Sequence, residues 1–188
     1  MSIPKSLLNF LDKNKVKYEI IRHRTVYTAH DKAATLRLKP QIVAKSVVVK
    51  LDKKDHVLAL LPANKNLDKK KFLKVINKAL NISSGKREKE KTKSSPAAAK
   101  TEKKARYLHV DFVDEKWLKK NLKAVKVGAT PPFGLFYNLP TFIDNALVKQ
   151  TKLIVNAGDY QTSLKIAPSA LFKLDKTLVK GSFSQSKK

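Results

Sequence analysis

The sequence contains no cysteine, which excludes disulfide bonds and thiolate metal ligands. Its four histidines, at positions 23, 30, 56 and 109, show no spacing typical of a metal site, so we expect neither a zinc centre nor another cofactor. The chain also lacks a glycine-rich loop of the Walker or dinucleotide type, and no serine stands in a nucleophile elbow. An enzyme built on this chain would therefore work by positioning and electrostatics, without a conventional nucleophile.

Long hydrophobic runs are missing as well. No apolar stretch approaches the ~20 residues that a membrane-spanning helix needs. The first residues, Met1 to Lys5, lead into an amphipathic pattern and not into the core of a signal peptide. The absence of cysteine fits a reducing compartment, and we therefore expect a soluble, cytoplasmic protein without a membrane partner.

Acidic residues are scarce relative to basic ones. The chain has 15 Asp and Glu against 41 Lys and Arg, a formal net charge of +26. Such an excess predicts a polyanionic partner, nucleic acid before membrane, because each neutralised phosphate releases a counterion. Only 5 of the basic residues are arginine, so most contacts should attach to phosphates and few should read bases. A solvated surface that is simply rich in lysine is the alternative explanation for part of this charge.

The periodicity predicts an α+β fold. At 188 residues the chain is long enough for one domain with a proper core. Thr28 and Asp114 are predicted to cap short helices, and alternation of apolar and polar residues predicts a hairpin of 42–51 with 56–61. Short strands mixed with short helices favour a single domain around a mixed, barrel-like β-sheet. The other predicted elements are helices at 3–14, from 68 and from 168, and strands at 16–21, 107–113, 151–155 and 162–166.

Residues 82–106 interrupt this pattern. They hold 9 Lys or Arg and 3 Glu, and Ile82 is their only large apolar residue. A segment of this composition does not bury enough surface to offset its ordering entropy, so we predict a flexible basic insertion. It either follows the phosphates of a nucleic acid or is an insertion without a role. The predicted organisation is one domain over 1–180, interrupted at 82–106, followed by a polar tail over 181–188.

Two features are candidates for a functional site. The stretch Gly128 to Gly134 contains two glycines and two consecutive prolines, which predicts a rigid loop between apolar segments. The fixed N–H groups of such a loop can hold a carbonyl or a developing oxyanion, although a purely structural turn would have the same composition. Lys45 lies in an apolar strand, and its charge either faces solvent or lines a pocket that binds a phosphate, carbonyl or acyl oxygen.

The chain also resembles a known family in five short motifs. In order and spacing they are similar to the YbaK/prolyl-tRNA synthetase-associated domain, an aminoacyl-tRNA editing superfamily with INS- and ProX-type deacylases. The resemblance covers nearly the whole chain except 82–106 and the tail. The motifs are Val26-Tyr27-Thr28 before a short helix, Val-Ala-Lys-Ser-Val-Val-Val-Lys at 43–50, Gly-Ala-Thr-Pro-Pro-Phe-Gly-Leu at 128–135, Phe142-Ile143-Asp144, and Asn156-Ala157-Gly158 with Ser163-Leu164-Lys165.

This resemblance implies a hydrolase that proofreads aminoacyl-tRNA. Family members cleave the ester of a mischarged tRNA, typically alanyl- or cysteinyl-tRNA(Pro), because an apolar synthetase pocket does not reject smaller amino acids strongly. By resemblance, Lys45 orients the terminal phosphate-sugar or the ester, and the loop from Gly128 to Pro132 presents backbone groups to the aminoacyl carbonyl. The substrate itself largely activates the attacking water or ribose hydroxyl. The implied catalytic residues are Lys45, Gly128 and Pro132, and the implied substrate-binding residues are Thr28, Thr130, Pro131, Phe133, Gly134, Asn156, Gly158, Tyr160 and Ser163.

Two positions depart from the family pattern. Pro131 stands where many members have Ser or Thr, and Tyr160 stands where many have His. The Asn156-Ala157-Gly158 turn favours the relatives that clear alanine over those that clear cysteine. A non-catalytic tRNA-binding module that serves a prolyl-tRNA synthetase or a synthetase complex is the alternative function. The chain is alternatively the editing region of a longer synthetase.

Overall fold

Strands and short helices alternate along the chain in the computed structural model, which describes residues 3–52, 55–90, 106–122 and 125–187. The helices within these residues are α1 Lys5–Lys13, α2 Ala29–Thr35, α3 Lys69–Glu90, α4 Glu115–Asn121, α5 Asn145–Val148 and α6 Pro168–Leu174. The strands are β1 Glu19–Arg22, β2 Ala44–Leu51, β3 His56–Pro62, β4 Lys65–Leu67, β5 Val110–Phe112, β6 Thr141–Asp144, β7 Leu153–Asn156, β8 Thr162–Ile166, β9 Val179–Gly181 and β10 Ser184–Ser186.

The largest sheet has five strands in the order β5-β2-β3-β6-β9. Its centre is the predicted hairpin of β2 and β3, which pair antiparallel with Lys45 opposite Leu61. The valines of β2 favour an extended chain because their branched side chains pack well on a pleated surface. Strand β6 pairs parallel with β3 and with β9, so the sheet is mixed.

A second sheet has the antiparallel order β1-β8-β7, and β4 pairs with β10 in a third. The first two sheets meet where Val43, just before β2, bridges Ile154 of β7 in parallel. The predicted mixed α+β fold in one domain is thereby confirmed. The sheets remain open over the described residues, so the predicted barrel-like arrangement is not a closed barrel.

The hairpin divides the core into two parts because successive side chains of a strand point to opposite faces. Ala44 and Val48 of β2 pack with α1 and with β7 and β8. Val49 and Leu51 belong to the other cluster, which lies under α3 and includes the fully buried Phe72. Each face of the hairpin is thus covered, which explains why β3 is buried along nearly its whole length.

The helix caps agree with the sequence pattern. The Thr28 hydroxyl accepts a hydrogen bond from the Asp31 N–H at 3.1 Å, and the Asp114 carboxylate accepts one from the Trp117 N–H at 2.6 Å. Helix α3, in contrast, continues to Glu90, so residues 82–90 are helical where the sequence predicted irregular structure. The Lys, Arg and Glu residues at its end are good helix formers and extend the helix beyond its apolar stripe. The rest of the predicted insertion, 91–105, lies outside the described residues.

The C-terminal residues also differ from a simple polar tail. Phe183 is fully buried, with its ring 4.8 Å from that of Phe72 between centroids. The strand that follows, β10, pairs with β4. Burial of the Phe183 ring helps to fix this segment, because a ring of this size buries a large apolar surface.

The buried carboxylate of Asp144 connects this segment to the main sheet. It accepts hydrogen bonds from the N–H groups of Phe183 at 2.9 Å, Ser184 at 2.8 Å and Ala146 at 2.9 Å. The last of these bonds caps α5. One side chain therefore holds the end of β6, the start of α5 and the C-terminal strand together.

We predict that Asp144→Ala lowers the free energy of unfolding by about 3 kcal/mol, because three backbone N–H groups lose a charged acceptor. Urea denaturation followed by circular dichroism measures the change. Asp12→Ala, which removes an exposed carboxylate bonded to the Tyr18 hydroxyl, should leave the midpoint nearly unchanged. A similar, small change in both variants would contradict the role assigned to Asp144.

Candidate functional site

The predicted loop at Gly128 is held against the turn that follows β7. The N–H of Gly158 donates to the Ala129 carbonyl at 3.1 Å, and the N–H of Lys126 donates to the Gly158 carbonyl at 3.0 Å. Gly128 and Gly158 have φ angles of +80° and +98°, which favour glycine strongly over residues with a Cβ. The loop is therefore rigid, and its shape depends on glycine at both positions.

Asn156, the last residue of β7, fixes the outer end of this loop. Its Nδ2 donates to the Gly128 carbonyl at 3.2 Å, and its Oδ1 accepts a hydrogen bond from the Lys32 ammonium. Gly128 itself is exposed, whereas Ala129 and the residues after it are buried. Among the described residues, the N–H of Gly128 donates to no protein group. Gly128 is therefore an exposed residue whose carbonyl is fixed and whose N–H is left for a ligand.

Lys32 is a buried lysine that the sequence interpretation missed. Only 3% of its surface is exposed. Burial lowers its pKa to about 8 because the charged form loses hydration, and the nearby Asp159 opposes this shift. The helical spacing could have indicated this burial, because it places Ala29, Lys32, Ala33 and Leu36 on the inward face of α2.

Two tyrosines lie beside the loop at Gly128 and the turn that follows β7. The Tyr160 hydroxyl donates to the Val127 carbonyl at 2.7 Å, and its ring packs edge-on against Tyr27 with 4.8 Å between centroids. The Lys126 ammonium lies 4.9 Å from the centre of the Tyr160 ring. A cavity of about 440 Å³ opens beside these residues, lined by Glu115, Lys119, Val125, Lys126, Val127 and Tyr160.

A second polar pair consists of His23, just after β1, and Ser163 of β8, the strand next to β7. His23 Nδ1 is 2.8 Å from the Arg24 carbonyl, an acceptor only, so this nitrogen carries the proton. His23 Nε2 is 2.9 Å from Ser163 Oγ. Burial, with a smaller contribution from the charge of Lys32, lowers the His23 pKa, so the ring is neutral at pH 7 and the Ser163 hydroxyl donates to it.

Lys45 lies apart from this hydrogen-bonded network. It is partly buried on β2, on the strand face that it shares with Val47 and Val49. Burial lowers its pKa, and the charge of Lys187 lowers it further. Among the described residues its ammonium makes no hydrogen bond or ion pair. A partly buried, unpaired cation is suited to an anionic or carbonyl group of a ligand.

The structure brings together part of the predicted site. Hydrogen bonds join Gly128, Asn156, Gly158 and Tyr160 directly or through their neighbours. Thr28 is exposed at the start of α2, whereas Ser163 is fully buried. The remaining predicted residues form the buried part of the loop, and these are Thr130, Pro131, Pro132, Phe133 and Gly134.

Gly134, at the end of the loop, lies where there is no room for a side chain. A Cβ at this position would overlap the side chain of Thr141 and the carbonyl of Leu139. Phe133 is 2% exposed and belongs to the larger core cluster. These two residues anchor the loop in the interior, so Gly128 and its neighbours form the accessible end.

Two other kinds of site find no support in the described part of the chain. His, Asp and Glu side chains nowhere gather there in a group of three or more suited to a metal ion. Nor does that part contain a helix with the length and apolar character needed to cross a membrane.

Comparison with known proteins identifies the family. Residues 23–100 and 97–174 match the aminoacyl-tRNA editing domain, and the chain belongs to that family. The predicted resemblance to an editing domain is thereby confirmed. No curated protein matches the sequence.

Solved structures share the fold at low sequence identity. A hypothetical protein has 15% identity and a TM-score of 0.68, with 96% of this chain and 100% of that chain covered. A proposed trans-editing enzyme for prolyl tRNA synthetase has 16% identity and a TM-score of 0.63, with 98% and 100% covered. A proposed signal transduction protein from Marinobacter aquaeolei VT8 has 12% identity and a TM-score of 0.59, with 97% of this chain but 31% of that chain covered.

The lowered pKa of His23 predicts a pH-dependent stability. The unfolded chain protonates this ring near pH 6.5 and the folded protein only at lower pH, so the folded state loses stability as the pH falls below about 6.5. Urea denaturation at pH 7.5 and pH 5.5 should show a larger loss for the wild type than for His23→Gln. His30→Gln, at an exposed position, is the control and should behave like the wild type. Equal losses in all three proteins would contradict the prediction.

Proposed function

We propose that this protein is an aminoacyl-tRNA deacylase that hydrolyses the ester bond of mischarged tRNA(Pro). Membership of the editing-domain family supports the reaction class. The observation that carries the proposal is the rigid loop at Gly128, an exposed residue. The Tyr160 hydroxyl holds the carbonyl of the Val127–Gly128 peptide, and the N–H of that peptide has no acceptor among the described residues. A fixed N–H donor of this kind stabilises the oxyanion that forms when water adds to an ester carbonyl.

The proposed reaction needs no protein nucleophile. Water adds to the aminoacyl carbonyl, the carbonyl oxygen becomes an oxyanion that accepts a hydrogen bond from Gly128, and collapse expels the terminal ribose oxygen. The neighbouring ribose hydroxyl of the substrate accepts a proton from the attacking water and gives its own proton to the released ribose oxygen. The pair of Ser163 and His23 does not supply a nucleophile in this scheme, because Ser163 is fully buried.

Lys45 is proposed to orient the terminal phosphate-sugar or the ester. Its partial burial, lowered pKa and lack of a partner among the described residues suit that role. Since Lys45 stands outside the hydrogen bonds around Gly128, the substrate has to extend from the loop to β2. The other residues implied by the family resemblance are proposed to line or support the aminoacyl pocket. They are Thr28, Thr130, Pro131, Pro132, Phe133, Gly134, Asn156, Gly158, Tyr160 and Ser163.

The amino acid that is cleared is proposed to be alanine or cysteine. The Asn156-Ala157-Gly158 turn favours alanine among these two. The buried prolines Pro131 and Pro132 support a small pocket, since their rings fix the loop backbone and leave it little freedom to expand. One neighbour in the fold is described as a proposed trans-editing enzyme for prolyl tRNA synthetase, which is consistent with tRNA(Pro) as the carrier.

The proposed partner is tRNA, and the proposed location is the cytoplasm. The net charge of +26 supplies the electrostatic attraction to phosphates. That same charge also fits the second candidate function, a non-catalytic tRNA-binding module that serves prolyl-tRNA synthetase or a synthetase complex. Attraction alone, however, does not require a rigid loop at Gly128 that is held against a second positive-φ glycine, Gly158, in the turn after β7.

We predict that the wild type releases amino acid from Ala-tRNA(Pro) or Cys-tRNA(Pro) but not from Pro-tRNA(Pro), and that Lys45→Ala lowers this rate about 100-fold or more. Release of labelled amino acid is measured for all three substrates. Lys50→Ala, which removes an exposed lysine from the same strand, is the matched control and should keep the wild-type rate.

Circular dichroism has to show that Lys45→Ala is folded. Undiminished turnover in a folded Lys45→Ala would refute the role of Lys45. Binding of tRNA without hydrolysis of any substrate would refute the deacylase and support the binding module.

We also predict that the basic insertion contributes to tRNA affinity. Residues 91–105 carry five lysines and one glutamate, 5 − 1 = +4, and their replacement by a short Gly-Ser linker leaves α3 intact. Affinity for tRNA should fall at low salt, and the slope of log K against log salt should become shallower by about one for each phosphate that the variant no longer neutralises. Filter binding from about 50 to about 300 mM salt measures both. An unchanged slope would show that residues 91–105 have no role in binding.

A further inference from the structure

Lys32 occupies a place where a charge is costly. It is buried on α2 next to Ala33, which belongs to a small apolar cluster with Val43, Ala63 and Ile154. A methionine of similar length would fill this space without burying an ammonium group. The chain instead places a lysine there and directs its Nζ to the Oδ1 of Asn156.

This contact decides which way the Asn156 amide points. Lysine only donates hydrogen bonds, so the atom of Asn156 that faces it has to be the oxygen. The Nδ2 group then faces the Gly128 carbonyl and donates to it at 3.2 Å. With the amide reversed, two donors would face each other at Lys32 and two acceptors would face each other at Gly128.

We propose that Lys32 is a positioning residue of the site: it fixes the orientation of the Asn156 amide, and Asn156 then fixes the Gly128 carbonyl and with it the backbone conformation of Gly128. This inference rests on the proposed deacylase function. It assigns Lys32 no contact with the substrate. The residue acts through Asn156, and the Gly128 N–H is the group that meets the substrate.

The strength of the hydrogen bond from Lys32 to Asn156 depends on the charge of Lys32. The charged or titratable groups that act on it are Asp159, in the turn after β7, and His23, before α2. Asp159 favours the ammonium form, and the neutral His23 does not oppose it. An ammonium donates a hydrogen bond about twice as strong as a neutral amine does. Since the pKa of Lys32 is about 8, the hydrogen bond from Lys32 to Asn156 should weaken as the pH rises through that value.

The first test is a double-mutant cycle on the proposed reaction. Lys32→Met keeps the length of the side chain and removes the donor, and Asn156→Ala removes the amide. Each should lower kcat about 10-fold with KM within about threefold of wild type. The double variant should be no slower than the slower single variant, because both changes break the same connection. Lys152→Met, at an exposed position before β7, is the control and should leave both constants unchanged.

Lys32→Gln provides the rescue. The glutamine amide is a neutral donor, so this variant should recover much of the rate that Lys32→Met loses. The wild-type kcat should fall about two- to fivefold between pH 7.5 and pH 9 after correction for the buffer rate, and the Lys32→Gln rate should not. Multiplicative losses in the double variant, or a rate in Lys32→Met equal to wild type, would overturn the proposal.

A second measurement does not depend on catalysis. The side-chain amide resonances of Asn156, observed by NMR, should shift with a midpoint near pH 8 in the wild type and lose this transition in Lys32→Met. If the wild type hydrolyses no substrate while this transition is present, the proposed function fails and the Lys32–Asn156 connection stands. If hydrolysis is present and the transition is absent, the positioning role fails alone.

Discussion

The side-chain amide of Asn156 is the interaction on which the candidate site depends. It joins a buried lysine on α2 to the Gly128 carbonyl, and it does so from the last residue of β7. An amide is well suited to this place because it accepts on one side and donates on the other. Three segments that are far apart in the sequence thus share one hydrogen-bonded connection, and the shape of the loop follows from it.

Charge has two separate roles in this protein. Most lysines are exposed, and together they give the net charge of +26 that attracts phosphates over a distance limited by salt. Lys32 and Lys45 differ, because burial lowers the pKa of each. Desolvated lysines act at short range, where a charge or a donor has to be in one position, and that is where a site uses them.

Local signals made several features predictable from the sequence. Thr28 and Asp114 cap helices as their residue types predict, and the valine-rich strand pairs with its neighbour as a hairpin. The rigid loop was recognisable from its glycines and prolines. Positions that are buried by residues far away in the sequence were not predictable in this way. The C-terminal strand escaped prediction because Phe183 is fixed by Phe72 and Asp144, neither of which lies near it in sequence.

The sequence by itself determined the α+β class, the family motifs, the basic charge and the stiffness of the loop at Gly128, because each is a property of composition or of short-range spacing. Only the tertiary structure decided which lysine is buried beside that loop. Sequence favoured Lys45, which stands on β2 outside the hydrogen bonds of the loop, whereas the fold turns Lys32 inward to Asn156. Desolvation and hydrogen-bond partners arise from contacts between distant segments, and a pattern of residue types does not specify them.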